Sequence, residues 1–255
     1  MTAARVGAAS DRGVVRQANE DSYLVAEAVF AVADGMGGHA AGDVASELAV
    51  AALAEVTADR ELTEEVLRKA VSAANDAIRL DGRKHPIRAG MGTTLTGLAL
   101  VSVAGSPHWL VFNVGDSRVY RWWDGELTRL TVDHSEVEAL VGSGELTLDE
   151  ASRHPLSNVV TRALGTHLSV EPDVWVFPPT PGERFLLCSD GLTLELTHER
   201  IAAVLGAEDD PQRAADTLVA EAVEAGGRDN VTVVVVDVPP SAAEPDGATV
   251  PRGER

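Results

Sequence analysis

Acidic residues recur in this sequence where apolar runs meet turns. Asp34 follows Val29-Phe30-Ala31-Val32-Ala33, Asp116 closes WLVFNVGD, Asp190 closes RFLLCSD, Asp229 precedes NVTVVVV, and Glu20 and Asp21 open DSYLV. A single Asp in such a place is ordinarily a turn residue, because its side chain can hydrogen-bond the turn backbone. Repetition at several strand ends points elsewhere. If the ends converge, these carboxylates share one pocket and cannot all be ionised there without cations. Oxygen ligands without His or Cys favour Mg2+ or Mn2+ over Zn2+, and so acidic a cluster calls for at least two ions. Such ions would bind phosphate in turn. That explains a carboxylate, Asp34, in a strand, glycine loop and helix order that otherwise suggests a phosphate cradle.

Other chemistries fit less well. Gly35-Met36-Gly37-Gly38-His39-Ala40 matches a dinucleotide-binding pattern, but Asp34 abuts the position of the pyrophosphate. The chain is also still helical around Glu55, about 20 residues on, where a ribose-binding acid should end a second strand. A cysteine nucleophile at Cys188 would require arginine at position 194, which is Leu194, so Cys188 reads as a buried strand residue. His198-Glu199 begins a zinc motif that fails at Ala202, and no spaced Asp/Asn loop ending in Glu fits calcium.

The elements that must position these acids are legible in outline. Residues 5–35 read as two strands with a turn. Residues 43–58 carry Val44, Leu48, Ala52 and Val56 at helical spacing after an Asp43 cap. Residues 63–80 form a second helix with Val66, Leu67, Ala70, Val71, Ala74 and Ile78 on one face. Short β-rich runs follow, with a hairpin at Asp124-Gly125. Gly90 and Gly92 are expected to permit close strand packing, and one of Trp122 and Trp123 to be core. A late helix spans 211–225, with Asp210 as its cap, Pro211 in its first turn and Gly226 at its end. This is not the regular alternation of a parallel sheet; antiparallel sheets with helices on their outer faces fit better. Residues 136–160 read as a polar, irregular surface subdomain, and the last 17 residues as a disordered tail.

The chain has 255 residues, 45% of them hydrophobic, which suits one large domain or two small ones sharing a core. It has no run of about 18 apolar residues, and its beginning, MTAARVGAASDRG, lacks an apolar signal region. The single cysteine excludes an internal disulfide and is compatible with the reducing cytosol. A net charge of −19 argues against nucleic-acid or anionic-membrane partners.

The segments SDRGVVRQANEDS, ADGMGGH, GMGTTLT, VGDSRVYR, LTVDHS, NVVTRALG, CSDGL and GGRDNVTVVVV run in this order across residues 10–237. In them the chain resembles the type 2C metal-dependent serine/threonine protein phosphatases (the PPM family), in their compact bacterial form. The resemblance implies an α+β fold, a four-layer αββα sandwich of two antiparallel sheets flanked by helices, with a small flap subdomain at about 136–160. The catalytic domain would span 1–238 and the tail 239–255. It implies two Mn2+ or Mg2+ ions, or three. Asp34 would bridge two of them and Gly35 would contribute its carbonyl oxygen. Glu20 would hold one ion, directly or through water, and Asp190 and Asp229 the other. Asp21 would orient bound water, and Asp116 would support a third ion with Asp190. Arg16 would clamp the phosphate, and His39 is the candidate acid for the leaving group, the alternative being that it only fixes its loop.

Phosphoserine and phosphothreonine would then be hydrolysed by direct attack of a metal-bridging hydroxide. The alternatives are a non-catalytic phosphoprotein-binding scaffold of the same fold, or a non-protein phosphate ester as substrate. No acid of the metal set is missing, which favours the enzyme. Expected partners are phosphorylated proteins, among them Ser/Thr kinases and their substrates; the protein is expected to act as a cytoplasmic monomer.

Overall fold

Every strand of the computed structural model pairs antiparallel with its neighbours. The structure describes residues 4–37, 41–58, 61–151 and 154–238; His39 and the expected tail at 239–255 lie outside the described residues. The chain begins with β1 (Arg5–Asp11), β2 (Asp21–Val25), β3 (Val29–Met36), α1 (Gly42–Thr57) and α2 (Glu64–Lys84). It continues with β4 (Gly92–Thr93), β5 (Leu95–Val103), β6 (Ser106–Val114), β7 (Arg118–Trp123) and β8 (Glu126–Arg129). Two short helices follow, α3 (Glu136–Gly142) and α4 (Leu148–Ala151), then β9 (Asp173–Phe177) and β10 (Arg184–Cys188). The chain closes with α5 (Asp190–Glu195), α6 (His198–Ala207), α7 (Pro211–Ala225) and β11 (Val231–Asp237).

One sheet has the order β1-β11-β10-β7-β8, the other β2-β3-β5-β6-β9, with β4 beside β3. Side chains alternate between the faces of each strand. Phe185 and Leu187 of β10 point into the space between the sheets, where they meet Phe30, Val32, Leu98, Trp109 and Val111 of the opposite sheet. Leu186 and Cys188 point outward and are covered by Leu192, Ile201, Val204 and Leu218 of the helices α5, α6 and α7. On the other side α1 and α2 cover Ala31, Ala33, Leu95, Leu110 and Phe112. The four-layer αββα sandwich is therefore the observed architecture. Because both faces of each sheet are covered, the central strands are apolar throughout instead of alternating with polar residues.

Several sequence expectations change in detail. Residues 5–35 hold three strands, because β1 joins one sheet and β2 and β3 the other; the segment between β1 and β2 crosses from sheet to sheet. The first helix buries Ala45, Ala49 and Leu53, one residue round from the expected stripe. These smaller residues let it lie close to the sheet, while Val44, Leu48, Ala52 and Val56 pack half-buried beside them. Asp43 does not cap this helix: Ala41 is the capping residue and makes no side-chain bond. Asp43 lies inside the first turn, its side chain accepting from the adjacent Val44 amide at 2.8 Å. Thr63 caps α2 and Asp210 caps α7 through their side chains. The short α5 and α6 were not expected. Gly92 does permit close packing, since a Cβ there would lie 2.8 Å from the Leu164 carbonyl, but Gly90 borders open space and serves a turn at φ +86°. Trp122 packs against the outer helices and Trp123 is exposed.

The segment at 136–160 contains α3 and α4 and is closed at its base by the amide of Glu136, which donates to the Val159 carbonyl at 2.9 Å. Phe185 is the central contact of the inter-sheet layer, fully buried with its ring edge-on to Trp109 at 5.5 Å. Phe185→Ala should therefore destabilise the fold by about 3–5 kcal/mol, measured as a lowered midpoint of urea unfolding.

Candidate functional site

Both sheets deliver acids to one end of the sandwich. Asp21 and Asp34 are paired directly across β2 and β3. Asp34 lies inside β3, two residues before its end, and is held there by backbone bonds. Its amide donates to Thr94 Oγ1 at 2.9 Å and its carbonyl accepts from the Thr94 amide at 2.9 Å. Thr94 Oγ1 is also 2.8 Å from Ser117 Oγ, beside Asp116. Gly115 presses its backbone onto Thr94 with φ at +109°, where a Cβ would come within 2.5 Å of the threonine methyl. Its amide donates to His134 Nδ1 at 3.0 Å.

The opposite sheet supplies Asp190, which opens α5, and Asp229, which lies just before β11. Gly191 lets these two segments touch, because a Cβ there would lie 2.0 Å from the Asn230 carbonyl oxygen. Asn230 then fastens the crossing segment. Its side-chain amide donates to the carbonyls of Arg12 and Ala18, both at 2.9 Å, and its Oδ1 accepts from the Glu20 amide at 2.8 Å. Ser189 ties the sheets together, donating to Asp21 Oδ2 at 2.8 Å while accepting from the Thr232 amide at 2.9 Å.

The glycine-rich turn is explained by packing. A Cβ on Gly35 would lie 2.1 Å from the Gly42 carbonyl oxygen and 2.5 Å from that of Glu20, so the start of α1 rests directly on β3. That space is filled by backbone and is closed to a pyrophosphate.

The result is a cavity of about 560 Å3 whose lining includes Arg16, Glu20, Asp34, Gly35, Asp116, Asp190 and Asp229. Of the expected site residues, Asp21 alone among those described does not line it; it lies behind Asp34 on the neighbouring strand. Asn158 and Val160 of the irregular segment form part of the wall, as does Asn230. Arg16 is the one basic side chain among the described lining residues, and it donates to Asp229 Oδ2 at 2.6 Å. Ser189, Thr94 and Asn230 were not assigned roles from sequence, although Ser189 and Asn230 each sit beside a candidate acid and Thr94 lies in the quoted motif GMGTTLT.

Burial and mutual repulsion make these acids hard to ionise. Burial, with the charges of Asp190 and Asp229 nearby, pushes Asp21 up to about 7 despite its bond from Ser189. Burial and Asp190 push Asp116 up to about 7, and burial and Asp229 push Asp190 up to about 6. Asp34 is raised well above the usual carboxylate range by burial and then by Asp21, Asp190 and Asp116. Glu20 is raised by burial, against the Gly42 amide.

Asp21 Oδ1 and Asp190 Oδ1 are buried with no hydrogen-bond partner. Among the described residues the acids stand around the cavity wall and no three close on a single point. An all-oxygen donor set with orphaned buried carboxylate atoms fits hard divalent cations, which would take the place of the missing donors.

Residues 13–222 match the family model described as Protein phosphatase 2C. The chain is 45% identical over 237 residues to the serine/threonine protein phosphatase PstP of Mycobacterium tuberculosis (strain ATCC 25618 / H37Rv). That match covers 92% of this chain and 45% of the relative, so the chain spans less than half of that protein's length. The serine/threonine phosphatase stp of Listeria monocytogenes serovar 1/2a is 39% identical over 239 residues, covering 89% of this chain and 93% of the relative. The crystal structure of the Mycobacterium tuberculosis serine/threonine phosphatase PstP/Ppp superposes with a TM-score of 0.86 at 42% identity, covering 93% of this chain and 99% of that one. The PstP catalytic domain in complex with two manganese ions gives a TM-score of 0.84 at 41% identity, with the same coverage.

Two outcomes are expected. A carboxyl raised in the folded state above its unfolded value contributes stability below the unfolded pKa and loses it as pH rises through the folded one. The metal-free protein should therefore melt at a lower temperature at pH 7.5 than at pH 5, and added Mn2+ should reverse the loss at pH 7.5; differential scanning calorimetry measures both. Asn230→Ala frees the segment carrying Arg16 and Glu20, so hydrogen exchange at residues 12–20 should accelerate more than at β11.

Proposed function

The chain belongs to the protein phosphatase 2C family, and from that premise we propose that it is a metal-dependent hydrolase of phosphoserine and phosphothreonine in proteins. The observation that carries the reading is the cavity in which acids of both sheets meet one guanidinium. We assign Asp34 to two Mn2+ or Mg2+ ions, Glu20 and the Gly35 carbonyl to one of them, Asp190 and Asp229 to the other, and Asp116 with Asp190 to a third. Bound there, divalent ions supply an acidified water for attack on phosphorus and positive charge that offsets the phosphate dianion.

The chain's own residues do the rest. Arg16, half exposed at the rim, offers paired N–H donors to phosphate oxygens. An entering phosphate exchanges with Asp229 for that guanidinium, so the arginine is already oriented before substrate arrives. Asp21 is held rigid by Ser189 and keeps one oxygen free of protein donors, which suits it to orient water. The leaving alkoxide needs a proton, for which His39 is our candidate; it lies outside the described residues. No cysteine acts: burial pushes the Cys188 thiol up to about 12, and it faces the outer helix layer.

The wide, polar mouth suits a phosphorylated side chain on a flexible protein segment, with Ser/Thr kinases and their targets as the substrates. No described helix is long and apolar enough to cross a membrane. We place the protein in the cytoplasm as a monomer.

The test is hydrolysis of p-nitrophenyl phosphate and a phosphothreonine peptide with Mn2+ or with EDTA. Turnover should require Mn2+, vanish in EDTA and fall at least ~100-fold in Asp190→Ala. Arg16→Ala should lower kcat/KM by about 10²-fold on both compounds, because it removes charge stabilisation from the phosphate itself. Mn2+ binding without turnover of either compound would leave the scaffold reading ahead.

A further inference from the structure

A second cavity of about 390 Å3 opens beside the first and shares Asp116, Asn158 and Asp190 with it. One wall is α3, the other the end of α5 with Leu194. Three arginines reach this cavity, and each is already neutralised. Arg118 donates to Asp133 at 2.6 Å, Arg129 to Glu138 at 2.7 Å, and Arg228 to Glu195 at 2.8 Å. None of the three guanidiniums is left over to pair with an acidic ligand.

Its unsatisfied character is apolar. α3 has the sequence EVEALVG, yet none of its residues is buried. An amphipathic helix on a globular protein normally turns its apolar stripe to the core. Here Val137 and Val141, one turn apart, line the cavity instead, and Leu194 faces it from the other side, 37% exposed. The helix is held in this position by polar ties: Ser135 accepts from the Glu138 amide and Arg129 holds the Glu138 side chain.

We propose that this cavity is a subsite for an apolar side chain of the substrate polypeptide, close in sequence to the phosphorylated residue. The proposal rests on the phosphatase reading above. Continuity with the catalytic cavity selects the occupant: the two cavities meet at Asn158, so side chains flanking a phosphate held among the acids come within reach of Val137, Val141 and Leu194. An acidic side chain would find every guanidinium there already engaged by a carboxylate and be disfavoured. The subsite thus selects substrates by sequence beside the phosphate, while the phosphate itself is recognised elsewhere.

The experiment uses the full chain with Mn2+ and a set of phosphothreonine peptides in which each position flanking the phosphoresidue carries Leu, Asp or Lys in turn. At one position Leu should be preferred over Asp by about tenfold or more in kcat/KM, the size expected for filling a small apolar pocket. Val141→Asp and Leu194→Asp, on separate elements, should each erase that preference through KM. Both should leave p-nitrophenyl phosphate turnover within about twofold of the unaltered chain, since this compound has no flanking residue to place. A flat or acid-preferring profile overturns the proposal. So does an equal loss of peptide and p-nitrophenyl phosphate turnover in variants whose melting temperature is unchanged. Absence of any p-nitrophenyl phosphate turnover in the unaltered chain overturns the phosphatase reading itself, and the subsite falls with it.

Discussion

Asp34 and Asp190 come from opposite sheets and line one cavity, where the charge of Asp190 helps to hold Asp34 above the usual carboxylate range. Asp21, Asp116 and Asp229 add further negative charge around the same point. Such a cluster favours any movement that separates its members. The sandwich resists that movement because β3, β10 and β11, which carry or adjoin Asp34, Asp190 and Asp229, are packed on both faces by apolar layers. The repulsion is held as a property of the site and is relieved by protons or by cations, whichever the solution supplies.

The residues that fix the acids are mostly uncharged. Thr94, Ser189 and Asn230 act through hydroxyl and amide groups, so they set positions without cancelling charge. Most arginines near the cavity are kept from cancelling it too: Arg118 is bound to Asp133 and Arg228 to Glu195, each by more than one bond. Arg16 is the exception, reaching in from the rim to bind Asp229, one of the cavity's own acids. A positively charged ligand and one guanidinium are what this arrangement leaves room for.

Much of this was legible in the sequence. Acids at the ends of apolar runs are, Asp21 apart, the acids that line the cavity, whereas Arg16 and Gly35 were singled out only by the family resemblance. The register of the first helix was not legible, because Ala45 and Ala49 carry a weaker hydrophobic signal than Val44 and Leu48, and only the nearness of the sheet makes small residues the better fit. The Asp43 cap failed for a related reason. The helix starts one residue before Asp43, with the Ala41 carbonyl accepting from the Ala45 amide, because the Gly42 backbone is pressed onto Gly35 of β3, a contact that no local pattern shows. Asn230 was likewise hidden: its three bonds reach Arg12, Ala18 and Glu20, so its task exists only in the folded chain.

The pairing of β1 with β11 joins the two ends of the described chain, Arg5 opposite Asp237. Strand β1 is at the edge of its sheet and has no other partner there. A ribosome therefore releases the first strand long before the last one exists to receive it. The second sheet, built from segments closer together in sequence, can close earlier. Until β11 and the residues just before it emerge, Asn230 cannot fasten the segment that carries Arg16, and Asp229 is missing from the cavity. A chain stalled before these residues thus lacks both Asp229 and the tie that holds the segment of Arg16 and Glu20.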